Sequence, residues 1–107
     1  YSLLQNFPNP FNASTRILYR VTKECFVSLR VFDSLGSEIS LLVDELKSAG
    51  NYEISFNASN LPSGTYYYKL AIENFSEVRK MILLKWIIKN YLVDFKDCTN
   101  KNYSKIF

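Results

Sequence analysis

From Thr15 onward apolar side chains return at every second position, and this alternation constrains the fold more than any other feature of the chain. It runs through Ile17, Tyr19 and Val21, then Val27, Leu29 and Val31, then Ile39, Leu41 and Val43. It resumes at Tyr52, Ile54 and Phe56, passes to Tyr66, Tyr68, Leu70 and Ile72, and closes with the run from Val78 to Leu84. A strand turns successive side chains to opposite faces, so period two predicts strands buried on one face and wet on the other. No helical period of comparable length competes before Lys85.

Compact turn signals separate these runs. "DSLG", Asp33 to Gly36, and "LPSG", Leu61 to Gly64, both carry glycine at the fourth position of a type I turn, and each is expected to reverse the chain between antiparallel strands. "SAGN" at Ser48 to Asn51 and "ENFS" at Glu73 to Ser76 are weaker signals of the same sort. Each sheet has one apolar face that another must cover, so the reading is an all-β, antiparallel immunoglobulin-like/fibronectin-like β-sandwich of six to seven strands. The cysteine and tryptophan signature of true immunoglobulin domains is missing, with Trp86 outside the pattern. Ile17, Tyr19, Val27, Leu29, Val31, Ile54, Phe56, Tyr66, Tyr68, Leu70 and Leu83 are expected inward. Burying one such side chain contributes about 1.5–3 kcal/mol, enough over these positions for a small fold.

A chain of 107 residues holds one domain with one modest core. Its division is expected to be a Pro/Asn-rich lead-in over 1–14, the sandwich over 15–85 and an extension over 86–107. Up to Lys85 there are nine Lys/Arg against eight Asp/Glu, with no basic ridge to favour a nucleic-acid partner. The apolar run from Met81 to Ile88 is broken by Lys85 and falls far short of the ~20 residues of a spanning helix, so no transmembrane segment is expected. The chain opens on Tyr1 rather than methionine, without a signal-peptide pattern, as expected of a piece of a longer protein.

Chemistry is poorly supplied. There is no histidine, no serine or cysteine with an identifiable partner, and the adjacent Asp44 and Glu45 read as solvated rather than catalytic, so no enzyme and no cofactor are expected. Cys25 and Cys98 fit neither a zinc site nor a disulfide framework and read as unlinked thiols, Cys25 tucked beside a strand. The tyrosines at 66, 67 and 68 raise carbohydrate stacking, but strand geometry puts Tyr66 and Tyr68 on one face and Tyr67 on the other. The reading preferred on these residues is two core rings and one outer ring.

The opening "LQNFPNPFN", Leu4 to Asn12, is stiff: Pro8 and Pro10 fix their own backbone angles and bias Phe7 and Asn9 toward extended conformations. It is expected to be a lead-in, pinned to the sandwich by Phe7 and Phe11, with Asn12 or Ser14 hydrogen-bonding the local backbone.

Taken together these stretches resemble the type A C-terminal sorting domain of the type IX (Por) secretion system of Bacteroidetes-type bacteria. The motifs are "LQNFPNPFN", "ILYRV", "VSLRVFDSLGSEI", "LVDELKSAGNYEISFNASNLPSGTYYYKL" and "RKMILLK", in order from Leu3 to Lys85. The resemblance implies a label on secreted cargo that passes through the periplasm and is recognised by an outer-membrane translocon. It further implies that a cysteine-protease sortase commonly removes the label, leaving cargo on the surface or released. Partners are then the translocon and sortase proteins and an upstream cargo domain in the same chain. The recognition residues it implies are Pro62 and Gly64 in the turn, and Lys80, Met81, Leu83, Leu84 and Lys85 in the last strand. On physical grounds, unpaired backbone groups of a terminal strand suit edge-to-edge recognition while lysines discourage self-association. The alternative class is a non-catalytic adhesion or carbohydrate-binding accessory sandwich.

Family members typically end close to the lysine matching Lys85, whereas this chain runs on as "WIIKNYLVDFKDCTNKNYSKIF". Its Ile, Lys, Asn, Tyr and Phe suit AT-rich codons and read as read-through or frameshift rather than a module. Ile88, Tyr91, Leu92 and Phe95 have helical spacing. The expectation is that 86–88 prolong the last strand or pack at its edge and that 100–107 are loosely held.

Overall fold

The structure, a computed structural model, describes residues 1–85 together with the backbone of Ile87–Ile88 and Tyr91–Leu92. Seven strands build the sandwich: β1 (Ser2–Leu3), β2 (Ser14–Val21), β3 (Cys25–Phe32), β4 (Glu38–Lys47), β5 (Gly50–Asn57), β6 (Gly64–Ile72) and β7 (Phe75–Leu83). One sheet has the order β1-β2-β5 and the other β4-β3-β6-β7, with all neighbours antiparallel. This is the immunoglobulin-like/fibronectin-like sandwich that the alternation predicts.

The core is where period two places it. Every side chain expected inward is buried except Ile54, which is partly buried against the same cluster. Leu3, Phe11, Val21, Cys25, Val43, Ala58, Ile72 and Met81 complete it. On β2 the inward Thr15, Ile17, Tyr19 and Val21 alternate with exposed or half-buried Arg16, Leu18 and Arg20.

β4 departs from the expected phase. Val43 pairs with Leu29 and is buried, but the register shifts so that Leu41 pairs with the outward Arg30. Leu41 and Ile39 are therefore exposed, while Leu42 packs partly against the core. An extra residue in one strand of a pair flips the faces beyond it, and sequence alternation carries no mark of where that happens.

The two glycine turns also part company. Asp33–Gly36 is the expected hairpin turn: Gly36 N–H donates to Asp33 O at 3.0 Å, and the Asp33 carboxylate accepts from the N–H groups of Leu35 and Ser37 at 2.9 Å each. Gly36 sits at φ +87°, which favours glycine. The Leu61–Gly64 stretch does not join paired strands. It carries the chain from β5 in one sheet to β6 in the other, because β6 finds its partners in β3 and β7.

Beyond the sandwich, β8 (Ile87–Ile88) pairs antiparallel with β9 (Tyr91–Leu92). Ile88, Tyr91 and Leu92 are thus extended rather than helical, in keeping with the β preference of Ile and Tyr and the weakness of short isolated helices. Ile87–Ile88 form their own two-stranded sheet instead of prolonging β7. The expectations for Trp86, Phe95, Cys98 and 100–107 lie outside the described residues.

Candidate functional site

The first and last motifs of the sandwich form one structure. In the β6–β7 ladder, Ile72 pairs with Phe75 across a two-residue turn, so Phe75, Glu77, Arg79, Met81 and Leu83 direct their backbone groups toward β6. Ser76, Val78, Lys80 and Ile82 direct theirs outward. The lead-in takes several of these outward groups. Gln5 Nε2 donates to Lys80 O at 2.8 Å and Asn9 Oδ1 accepts from Ile82 N at 2.9 Å. Phe11 makes a parallel bridge to Leu83, its N–H donating to Ile82 O and its carbonyl accepting from Leu84 N, both at 2.9 Å. Arg79 Nε donates to Leu3 O at 2.7 Å. The terminal strand is therefore not open along its whole edge: the lead-in covers it from Lys80 O onward.

What holds the lead-in there is a buried polar clip. Asn6 is 2% exposed, and its Nδ2 donates to Pro8 O at 3.1 Å and Thr15 Oγ1 at 3.0 Å, while Thr15 Oγ1 donates to Pro8 O at 2.8 Å. The Tyr68 hydroxyl rises from the core to accept from Asn6 N and donate to Leu4 O, each at 2.7 Å. Burial pushes the Tyr68 pKa up to about 12, against a lowering by the Asn6 N–H and Arg79. Phe11 pins the segment with 1% exposure, but Phe7 does not, at 65%. Phe7 pairs with Arg16, whose side chain faces solvent, and so takes the same outer face. Asn12 caps locally as expected, its Oδ1 accepting from Ala13 N at 3.2 Å.

At one end of the sandwich the turn candidates meet the end of β7. Gly64 pairs with Leu83, and Lys85 N donates to Ser63 Oγ at 2.9 Å while Lys85 Nζ donates to Ser59 O at 2.6 Å. Tyr66, near the start of β6, donates its hydroxyl to Pro62 O at 2.7 Å. This is the tyrosine corner of immunoglobulin-like sandwiches, a bond back across the crossing between sheets. Pro62 thus has a structural duty. Gly64 does not: its φ is not positive, and a Cβ there would meet nothing within 4 Å. Asp33, Leu35, Pro62 and Gly64 line a shallow hollow of about 240 Å³ between the two glycine turns, with Leu35 89% exposed.

Pro62, Gly64, Leu83, Leu84 and Lys85 are therefore brought together, and Lys80 stands apart, exposed on the outer face of β7. Met81 and Leu83 are fully buried in the core; Leu84 and Lys85 are half-buried. Sequence reasoning missed Asn6, Thr15 and the hydroxyl of Tyr68. The spacing from Pro62 to Tyr66 was a signal for the corner.

Other chemistry is sparse. Tyr66 and Tyr68 are buried and Tyr67 is half-buried on the outer face. Asp44 and Glu45 are exposed, and Cys25 is a buried free thiol. Among the described residues no group of His, Cys, Asp and Glu is placed to hold a metal, and no helix is long and apolar enough to cross a membrane.

Residues 5–84 match the family described as secretion system C-terminal sorting domain. No curated protein and no solved structure matches the chain.

Proposed function

The chain belongs to the secretion system C-terminal sorting domain family, and from that membership we propose that it hands a longer secreted protein to the type IX translocon. Domains of this family mark their proteins for export to the cell surface or beyond. The finer reading is that the domain folds in the periplasm, is recognised folded by the translocon, and is then removed by the sortase so that cargo is anchored or released. The observation that carries it is the reach of the match, which takes in both the lead-in and the last strand. Each would be a poor element alone; together they close the sandwich.

The recognition surface in this reading is the end where Pro62, Gly64, Leu84 and Lys85 meet, with Lys80 apart from it, farther back along the outer face of β7. Gly64 carries the argument, since neither backbone angle nor crowding requires glycine there. Absence of a side chain suits close approach of a partner's backbone.

The test places the full chain behind a periplasmic reporter in a bacterium with type IX secretion, followed by fractionation. Export to surface or medium is expected. A reporter retained in the periplasm rejects the sorting role. Gly64→Ala is expected to lower export while leaving the melting temperature unchanged. Equal export by that variant removes Gly64 from the surface.

A further inference from the structure

The lead-in stops short of covering β7. Between Phe75 and Lys80 the ladder turns the N–H and C=O of Ser76 and Val78, and the N–H of Lys80, away from β6, and among the described residues none of these has a partner. Lys80 O is the first outward group that the lead-in occupies, through Gln5. The charges beside this stretch are unbalanced. On the outer face Lys69 lies directly across from Arg30, a like-charge apposition that destabilises a sheet. Arg30 has Glu38 at 3.1 Å, but no carboxylate among the described residues pairs with Lys69 or Lys80. Lys80 sits diagonal to Lys69, two residues beyond Lys69's partner Val78, which is 54% exposed.

We propose that the Ser76–Lys80 stretch of β7 is an acceptor edge onto which an extended segment of a partner protein, carrying on one face an apolar residue and, two positions along, a carboxylate, adds as a further strand. Backbone pairing supplies the affinity in this mode and the side chains of alternate residues supply the selection. On the outer face, an incoming apolar residue opposite Val78 covers it, and an incoming carboxylate opposite Lys80 neutralises a cation that no carboxylate among the described residues pairs. A second copy of β7 answers this poorly. Paired antiparallel about Val78, it places Ser76 opposite Lys80 and brings no carboxylate to that face. The inference rests on the export reading only for where the partner belongs, in the type IX machinery.

Val78→Pro removes an outward N–H and no ladder bond, so the edge is blocked while the sandwich keeps its pairing. In the reporter fusion of the full chain, Val78→Pro is expected to cut export ~10-fold or more with the melting temperature held. Lys80→Glu, which touches no backbone pairing, is expected to reduce export as well and decides the matter if Val78→Pro melts early. Wild-type export with both variants exported equally overturns the edge and leaves the export reading standing. Failure of the wild-type fusion itself overturns the export reading and leaves the edge to a second measurement. That measurement is amide exchange of the full chain with a peptide of Val-Ser-Glu-Ser repeats, which carries Val and Glu in turn on one face, and its Val-Ser-Lys-Ser counterpart. Slowed exchange at Ser76, Val78 and Lys80 with the glutamate peptide alone supports the acceptor edge; no slowing, or equal slowing with both, overturns it. A dimer in sedimentation that Val78→Pro abolishes assigns the edge to a second copy and overturns it too.

Discussion

The two edges of the four-stranded sheet are protected in opposite ways. β4 defends itself: its register breaks twice against β3, and Glu38, Asp44, Glu45 and Lys47 put charge along it. Such irregularity and charge are common means of discouraging edge pairing, and they are permanent. β7 pairs with β6 without a register break from Phe75 to Leu83, and its outer side is covered only in part, by residues from the other end of the chain. A regular strand covered by a distant segment has a conditional edge. Its exposure depends on where the lead-in lies.

Substitutions on the two edges should therefore differ sharply. Phe11→Ala removes the ring that fixes the lead-in and should cost about 3–5 kcal/mol in denaturant unfolding; a loss near zero would mean that β7 is held without it. Tyr68→Phe leaves the buried Asn6 N–H and Leu4 carbonyl without their shared partner, at a cost of about 1–3 kcal/mol. Hydrogen exchange should then speed up at Leu4 to Phe11 before it does on β4.

Alkaline titration sharpens the same contrast. Tyr68 and Tyr19 are both pushed up to about 12 from 10.0, chiefly by burial, with Tyr52 and Glu45 also raising Tyr19. The folded state then keeps protons that the unfolded chain has lost, so stability should fall as pH rises from 10 toward 12. Tyr68→Phe should flatten that fall, and an unchanged slope would exclude Tyr68 from it. The smallest effect belongs to the other edge. Leu41→Ser, at an exposed position of β4, should stay within about 0.5 kcal/mol of wild type by the same denaturant measurement.

How much of this is legible in the sequence depends on what each residue must know. Ile17, Val27, Leu29, Val31, Tyr68 and Leu70 need only their own strand's alternation, and all are buried as that predicts. Ile39 and Leu41 depend on a bulge that no local residue announces. Phe7 and Phe11 are chemically alike, yet one lies opposite solvent-facing Arg16 and the other beside Leu83, a distinction of pairing rather than composition. The same holds for the glycine turns. "DSLG" and "LPSG" specify reversals, but which sheet the next strand joins is decided by partners elsewhere. At the candidate surface, sequence resemblance selected Pro62 and Gly64, while the fold distinguishes a proline whose carbonyl receives Tyr66 from a glycine with empty space around it.

The bonds from the lead-in to β7 join residues that are 71 to 76 positions apart. Synthesis delivers Gln5 and Phe11 well before their docking strand, so the step that closes the sandwich waits until β7 has been made. Loop closure over such a span adds its entropy cost late, and non-local topology of this kind folds slowly. A chain broken off before Leu83 has most of its strands and no seat for Phe11. Its opening segment stays loose, within reach of proteases that cut unstructured chain. Completion of β7 is thus written into the lead-in, and a domain that lacks its last strand begins with a visibly unfinished segment.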